Sequence, residues 1–218
     1  MPFESIQNLE VWKRLDAHRS VSLDLACGLA YLVYVGEYLA IAFLLFFRRR
    51  FDVLRAFALS FLLVNLLGFA TYFIYPAAPP WYVTAFGYGP ARMDVHSVAA
   101  AASRFDALLG THFFDEMYGR GVDVYGAYPS LHVAYPLLAA WAAVRVPELR
   151  WARIPAICFF GLMCLSAVYL QHHYVIDVLL GVGYAAVTAA LVAGIQAAQL
   201  RSPGRGNARR STALPAGP

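Results

Sequence analysis

The sequence predicts an all-α polytopic membrane protein: a helix bundle of five transmembrane helices, an N-terminal amphipathic helix and a structured extracytoplasmic loop. Three observations carry that prediction. Of the 218 residues, 61% are hydrophobic and only 14% charged, whereas a soluble domain carries about 25% charged residues. Apolar runs recur near the ~20-residue length that a bilayer demands. The arginines flank those runs and form no basic face interleaved with aromatics, so the formal charge of +4 speaks for topology and against nucleic acid as a partner.

Taken in order, residues 3–16 place Phe3, Ile6, Leu9, Trp12 and Leu15 about one helical turn apart, with Glu10, Lys13, Arg14 and Asp16 between them. This predicts an amphipathic helix within residues 1–21, lying in the membrane interface or serving as a cover over the bundle. The first twenty residues lack the compact apolar core of a cleavable signal peptide, and the first long apolar run is expected to act as the insertion signal. Spans are predicted over residues 22–47, 53–75, 131–146, 154–171 and 173–197. The third and fourth are short, and Pro147 and Pro155 mark a tight connection between them.

Between the second and third spans, the loop 76–130 is too long for a simple connector. Its opening, Pro76 to Tyr82, is predicted to run extended because of its prolines, with Trp81 and Tyr82 suited to the headgroup layer. Val95, Val98, Ala102, Phe105 and Leu109 recur at helical spacing and predict a lid-like amphipathic helix over 91–109, ended by Gly110. Residues 1–200 are read as one membrane-embedded catalytic domain. The last stretch, 201–218, is rich in Pro, Gly, Ser and Arg and is expected to be a disordered, basic, cytoplasmic tail. No internal repeat is evident.

Orientation follows from the cations. Eleven of the 17 Lys and Arg residues fall on one side, from Arg48, Arg49, Arg50 and Arg55 through Arg145, Arg150 and Arg153 to the tail. The positive-inside rule makes that side cytoplasmic. The loop 76–130 and the QHHYVID stretch at 171–177 then share the extracytoplasmic face, which brings GAYPSLH (126–132) and QHHYVID to one membrane surface. In a bacterial cell that membrane is the inner one, and high Ala and Arg usage fits a GC-rich bacterium.

Those two stretches hold the candidate chemistry. His173 and Asp177 are four apart, and on a helix they stack on one face. An Asp that accepts from one imidazole nitrogen fixes the tautomer and leaves the other nitrogen as nucleophile or base. The same spacing also suits a structural pair at a helix end. His132 opens the third span behind Pro129 and Ser130, where free backbone N–H groups favour a phosphate and Ser130 adds a hydroxyl. His172, about 100° from His173 on a helix, is read as a supporting or headgroup contact. Arg92, Arg104 and Arg120 are the cations on the active face, each with an acid nearby as an alternative partner, and Arg104 is the preferred phosphate ligand. Glu37 and Asn65, inside spans, are read as interhelical pairs. His18, His96 and His112 are read as ordinary interfacial residues, the six histidines show no metal-ligand pattern, and Cys27, Cys158 and Cys164 read as buried small hydrophobes, so neither a metal nor another cofactor is expected.

PSLH and HHYVID resemble the signatures of the type 2 phosphatidic acid phosphatase superfamily, P-S-x-H and S-R-x5-H-x3-D. Ser166, His173 and Asp177 are in register with the second, whereas Ala167 stands where the phosphatases carry Arg, and no K-x6-R-P motif lies upstream. Across residues 76–184 the chain is similar to the inositol phosphorylceramide synthase branch: an APPWY-like segment (Ala78 to Tyr82), an R-x-D followed by G-T (Arg104, Asp106, Gly110, Thr111), a GA-aromatic-PSLH turn and HHY-x-x-D. The resemblance implies that His173 attacks phosphorus and forms a phosphohistidine. It implies that His132 protonates the departing diacylglycerol and then activates the acceptor, and that Asp177 orients His173. Ser130, Arg104, His172, Tyr174 and Trp81 are the expected binding residues. The implied partners are a phospholipid donor, such as phosphatidylinositol, and a lipid-alcohol acceptor, such as ceramide. Hydrolysis of phosphatidic acid or an isoprenoid phosphate is the alternative reaction, and a transporter or lipid-binding bundle is the non-enzymatic one.

Overall fold

The computed structural model describes residues 11, 13–121 and 124–201, with the backbone alone at 200 and 201. The amphipathic helix expected at 3–16 therefore lies mostly outside the described residues, as does the tail beyond 201. Helical backbone is seen over 13–17, where Leu15 packs against a buried cluster that includes Cys27, Tyr31 and Phe105.

Among the described residues all the regular structure is helical: α1 (Val21–Phe47), α2 (Phe51–Ile74), α3 (Pro80–Phe86), a 3-10 turn (Ala100–Ala102), α4 (Ser103–Leu109), α5 (Phe113–Gly119), α6 (Leu131–Val144), a second 3-10 turn (Pro147–Leu149), α7 (Arg150–Tyr169) and α8 (Val175–Arg201). Four helical stretches among the described residues, Val21–Phe47, Phe51–Ile74, Pro147–Tyr169 and Val175–Gln199, are long and apolar enough to cross a membrane. Their outward faces carry exposed Phe43, Leu62, Phe69 and Leu179, the reverse of a soluble surface. The chain is a multi-pass membrane protein.

The remaining apolar helix, α6, has 14 residues, about 21 Å of rise. It is the hub, in contact with α1, α2, α7 and α8. Ala134, Ala139, Ala140, Ala142 and Ala143 are all buried on it, and small side chains let neighbouring backbones come close. A helix enclosed by its neighbours need not match the full lipid thickness, which explains why this predicted span is the shortest. Pro136 sits inside α6 and has no N–H to offer the His132 carbonyl four residues back, so the first turn is released from the helical ladder at His132.

Several boundaries differ from the sequence reading. The stretch expected to run extended turns helical at Pro80, because Pro at the first helical position loses no hydrogen bond. The lid expected over 91–109 is helical only from Ala100, although Gly110 ends it as expected in a left-handed conformation (φ 65°). The fourth span begins at Arg150 and accommodates Pro155 within its second turn. The last span begins at Val175, after both histidines.

At one end of the bundle Arg50 bonds Glu148 (3.1 Å), and the Gln196 amide donates to the Asp52 carbonyl (2.9 Å). The α1–α2, α6–α7 and α8 ends therefore meet there, with Arg48, Arg49, Arg145 and Arg150 beside them in sequence. The loop and the histidines occupy the opposite end. Within the bundle, Tyr135 on α6 donates to Asn65 on α2 (2.7 Å), the interhelical pairing expected of Asn65. Both Glu37 carboxylate oxygens lack a hydrogen-bond partner among the described residues, unlike the pairing expected there.

Candidate active site

Backbone hydrogen bonds assemble the histidine end from three segments far apart in sequence. The Ala77 N–H donates to the Tyr125 carbonyl (2.9 Å) and the Ala127 N–H to the Ala77 carbonyl (3.2 Å), which pins GAYPSLH against the start of the outer loop. The Ser130 N–H donates to the Asp177 carbonyl (2.9 Å), joining the first turn of α6 to that of α8, and the Trp81 N–H reaches the Gln171 carbonyl (3.3 Å). The α8 backbone comes so near that a Cβ at Gly181 would run into the Ser130 carbonyl. Gly181→Ala is expected to displace Ser130 and, two residues on, His132. A misplacement of about 1 Å at a reacting group costs on the order of 10²-fold in rate, so turnover should fall far more than protein yield. Activity per folded protein measured beside thermal unfolding in detergent checks this, and unchanged turnover would refute it.

His132 Nδ1 and His173 Nε2 are 3.1 Å apart. His173 is 3% exposed, and its Nδ1 lies 2.8 Å from the Ala127 carbonyl. A carbonyl only accepts, so His173 carries its proton on Nδ1 and presents a lone pair at Nε2, toward which His132 directs an Nδ1 proton. The Asp177 carboxylate, expected to accept a hydrogen bond from one nitrogen of the His173 ring, is 3.7 Å from Nδ1, beyond hydrogen-bond length. It accepts instead from the Tyr174 N–H at 2.7 Å. The reason is local backbone: residues 171–174 form a non-helical turn, with Gln171 at φ 64°, so the helical four-residue spacing does not bring His173 and Asp177 together as drawn from sequence.

The same turn lets His172 and His173 line one cavity of about 250 Å³ together with His132 and Trp81. A second, of about 420 Å³, shares His132, Tyr34, Ser97 and Tyr118 with the first and adds Arg120. The Arg120 side chain is 83% exposed and 3.6 Å from Glu116. Aromatic rings shape the walls: Tyr31 stacks on His132 (centroids 4.6 Å) and Tyr135 on Phe61 (4.5 Å).

The other expected binding residues are elsewhere. Tyr174 and Asp177 line a separate cavity of about 230 Å³. Ser130 is fully buried at the start of α6, its hydroxyl without a partner among the described residues, and it lines neither histidine cavity. Arg104 is held away from both cavities: its Nη1 donates to Asp16 (2.8 Å), its Nε to Asp24 (2.7 Å), and its guanidinium lies over the Tyr169 ring (4.9 Å). Arg92 is likewise paired, with Asp94 (2.8 Å). The R-x-D and G-T motif is structural here. The Asp106 carboxylate accepts from the Thr111 hydroxyl and from the N–H groups of Phe113, Phe114 and Asp115, at 2.8–3.1 Å, which caps α5 and sets Tyr118 against the histidines. Arg104→Met leaves Asp16 and Asp24 facing each other without a counter-charge, and is expected to cost about 3 kcal/mol of stability. Thermal unfolding should show this loss, with Arg104→Lys intermediate; equal stability of all three proteins would refute it.

The sequence reading missed the Ala127 carbonyl, which carries no side-chain signal, and Tyr31, Tyr34 and Tyr118. Tyr31, Tyr34 and Tyr38 recur at helical spacing on α1, so one aromatic face was legible even though its partner was not. Among the described residues no group of three His, Cys, Asp or Glu is arranged to hold a metal.

The chain is 38% identical over 172 residues to phosphoinositol dihydroceramide synthase of Bacteroides thetaiotaomicron, covering 77% of this chain and 55% of that protein. It is 30% identical over 186 residues to the inositol phosphorylceramide synthase catalytic subunit of Schizosaccharomyces pombe, covering 83% and 42%. Inositol phosphorylceramide synthase of Candida albicans is 29% identical over 164 residues, covering 73% and 34%. The chain thus spans about a third to a half of the length of these relatives. No solved structure gives a significant match. The PAP2 superfamily profile matches residues 6–191, nearly the whole of the described chain, and the chain belongs to that superfamily.

Proposed function

We propose that the chain is a lipid phosphotransferase that moves the phosphoinositol headgroup of phosphatidylinositol onto a lipid alcohol such as ceramide, through a phosphohistidine. The observation that carries this reading is the 3.1 Å His132–His173 pair with its proton order fixed by the Ala127 carbonyl. The activities for which the relatives are named support the choice of substrates.

In the first half-reaction the His173 Nε2 lone pair attacks phosphorus. The P–O bond to diacylglycerol breaks as the N–P bond forms, and His132, as its imidazolium once the anionic donor is bound, gives its Nδ1 proton to the departing oxygen and is left neutral. Diacylglycerol leaves. In the second, His132 takes the proton of the acceptor hydroxyl, whose oxygen attacks the same phosphorus and releases His173. A phosphodiester does not fit in line between nitrogens 3.1 Å apart, so His132 swings aside when the donor binds, helped by the turn that Pro136 loosens. Asp177 contributes negative charge 3.7 Å from His173, which steadies the ring as it gains positive character. Trp81 and His172 line the reacting cavity, and Arg120 offers a guanidinium to the anionic donor from the adjoining one.

In the membrane, α6 counts as a fifth, shielded span. The arginine-rich end of the bundle faces the cytoplasm and the histidine end the extracytoplasmic side of a bacterial inner membrane. The absence of cations among the described residues lining the first cavity, together with a buried Ala167 where the phosphatases carry Arg, favours a phosphodiester monoanion over a phosphomonoester dianion.

Purified protein incubated with headgroup-labelled phosphatidylinositol and a panel of lipid alcohols tests the proposal. Label should pass to a new lipid with matching release of diacylglycerol. Label appearing only as water-soluble inositol phosphate overturns transfer, and rapid inorganic phosphate release from phosphatidic acid without transfer establishes hydrolysis in its place.

A further inference from the structure

His172 lies between two rings, with centroids 5.2 Å from Tyr31 and 4.5 Å from Tyr118 and interplanar angles of 20° and 12°. The sandwich leaves the imidazole only its edge for polar contacts. On that edge the ring bonds the Ala99 backbone, while Nε2 is buried and meets no hydrogen-bond partner among the described residues. The residue is 6% exposed and lines the cavity that holds His132 and His173.

The proton bookkeeping of this ring is settled by its surroundings. The Ala99 carbonyl accepts only, so Nδ1 carries the hydrogen. Burial pushes the imidazole down to about 3, so the ring is neutral at physiological pH and Nε2 offers a lone pair and nothing else. A phosphate oxygen has no proton to give it and is repelled. A buried acceptor left empty is costly, and a partner must therefore be a donor. None of the described residues lining the cavity is Asp or Glu, so an ammonium would lie there without a counter-charge. An uncharged hydroxyl meets both conditions.

We propose that His172 Nε2 is a hydroxyl-reading subsite, accepting a hydrogen bond from an uncharged hydroxyl of a substrate held beside the His132–His173 pair. This assigns His172 to substrate recognition and removes it from phosphate binding. The inference rests on the phosphotransferase reading, in which such hydroxyls belong to the polyol headgroup of the donor and to the alcohol acceptor.

Two substitutions separate the nitrogens. The amide of Asn lies near the position of Nδ1 and keeps the Ala99 contact, whereas that of Gln lies near Nε2 and restores an acceptor there. With the full chain in phospholipid nanodiscs, KM for phosphatidylinositol and KM for the acceptor alcohol are measured separately for wild type, His172→Asn and His172→Gln. The Asn variant should raise one of the two KM values about tenfold, the loss of one hydrogen bond and an unpaired hydroxyl, with kcat within about threefold of wild type. The Gln variant should recover most of that loss. A KM change confined to the donor places the hydroxyl on the headgroup, and one confined to the acceptor places it on the alcohol. Equal shifts in both KM values together with kcat, or a Gln variant no better than Asn, indicate packing alone and overturn the proposal, as do unchanged constants. A wild type that transfers no headgroup overturns the phosphotransferase reading itself, a result distinct from failure of His172 in an active enzyme.

Discussion

His173→Asn is expected to abolish headgroup transfer, by at least about 10³-fold, because a neutral amide cannot act as the nucleophile. The amide of Asn lies near the position of Nδ1 and keeps a donor for the Ala127 carbonyl, which accepts from His173 at 2.8 Å. The folded protein should therefore survive, with its unfolding temperature close to wild type. A donor labelled at phosphorus gives the discriminating readout. Wild type should acquire acid-labile protein-bound label that chases into product on addition of the lipid alcohol, and the Asn variant should acquire none. A variant that still takes up label, or still turns over, would remove His173 from the nucleophile's role.

His132→Ala should show a different signature. General acid–base help is worth about 10²–10⁴-fold, and most of it goes to a poor leaving group such as the diacylglycerol alkoxide. With a donor analogue that leaves as p-nitrophenolate, which needs no proton, release of nitrophenol in the first half-reaction should lose less than about tenfold. The second half-reaction still lacks its base, so the labelled phosphohistidine should accumulate. Equal losses with both donors would exclude proton transfer by His132. The 3.1 Å contact with His173 makes a further outcome informative: without the imidazole, His173 loses its neighbour at Nε2, and faster labelling by the activated donor would show that the pair must open before attack.

The two residues differ in what could be known of them in advance. Hydropathy is a local sum along the chain, so four of the predicted spans emerge as helices long enough to cross a bilayer. The fifth emerges as a short helix whose burial, rather than length, suits it to its place. The gathering of arginines at one end and histidines at the other follows from the same count, because each crossing reverses the chain. His132 and His173 could thus be assigned to one end before any contact was known. The spacing argument for His173 and Asp177 assumed a helix that begins two residues too late to include His173, and the Nδ1 proton goes to a backbone carbonyl instead.

GAYPSLH and HHYVID were conspicuous in the sequence because histidines next to apolar runs are rare and Pro and Ser mark a helix start. By itself the sequence determined the helical membrane class, the polarity of the bundle and the shared location of the two histidines, all of which depend on residue type and order. Only the tertiary structure decided the partners: Ala127 for His173, Asp16 and Asp24 for Arg104, and Tyr31 with Tyr118 around His172. The physical reason is separation. Arg104 meets Asp16 across 88 positions and Tyr169 meets Asp24 across 145. Short-range hydrogen bonds and ring contacts select among many acids, carbonyls and tyrosines of equal chemistry, and packing alone decides which of them come within reach.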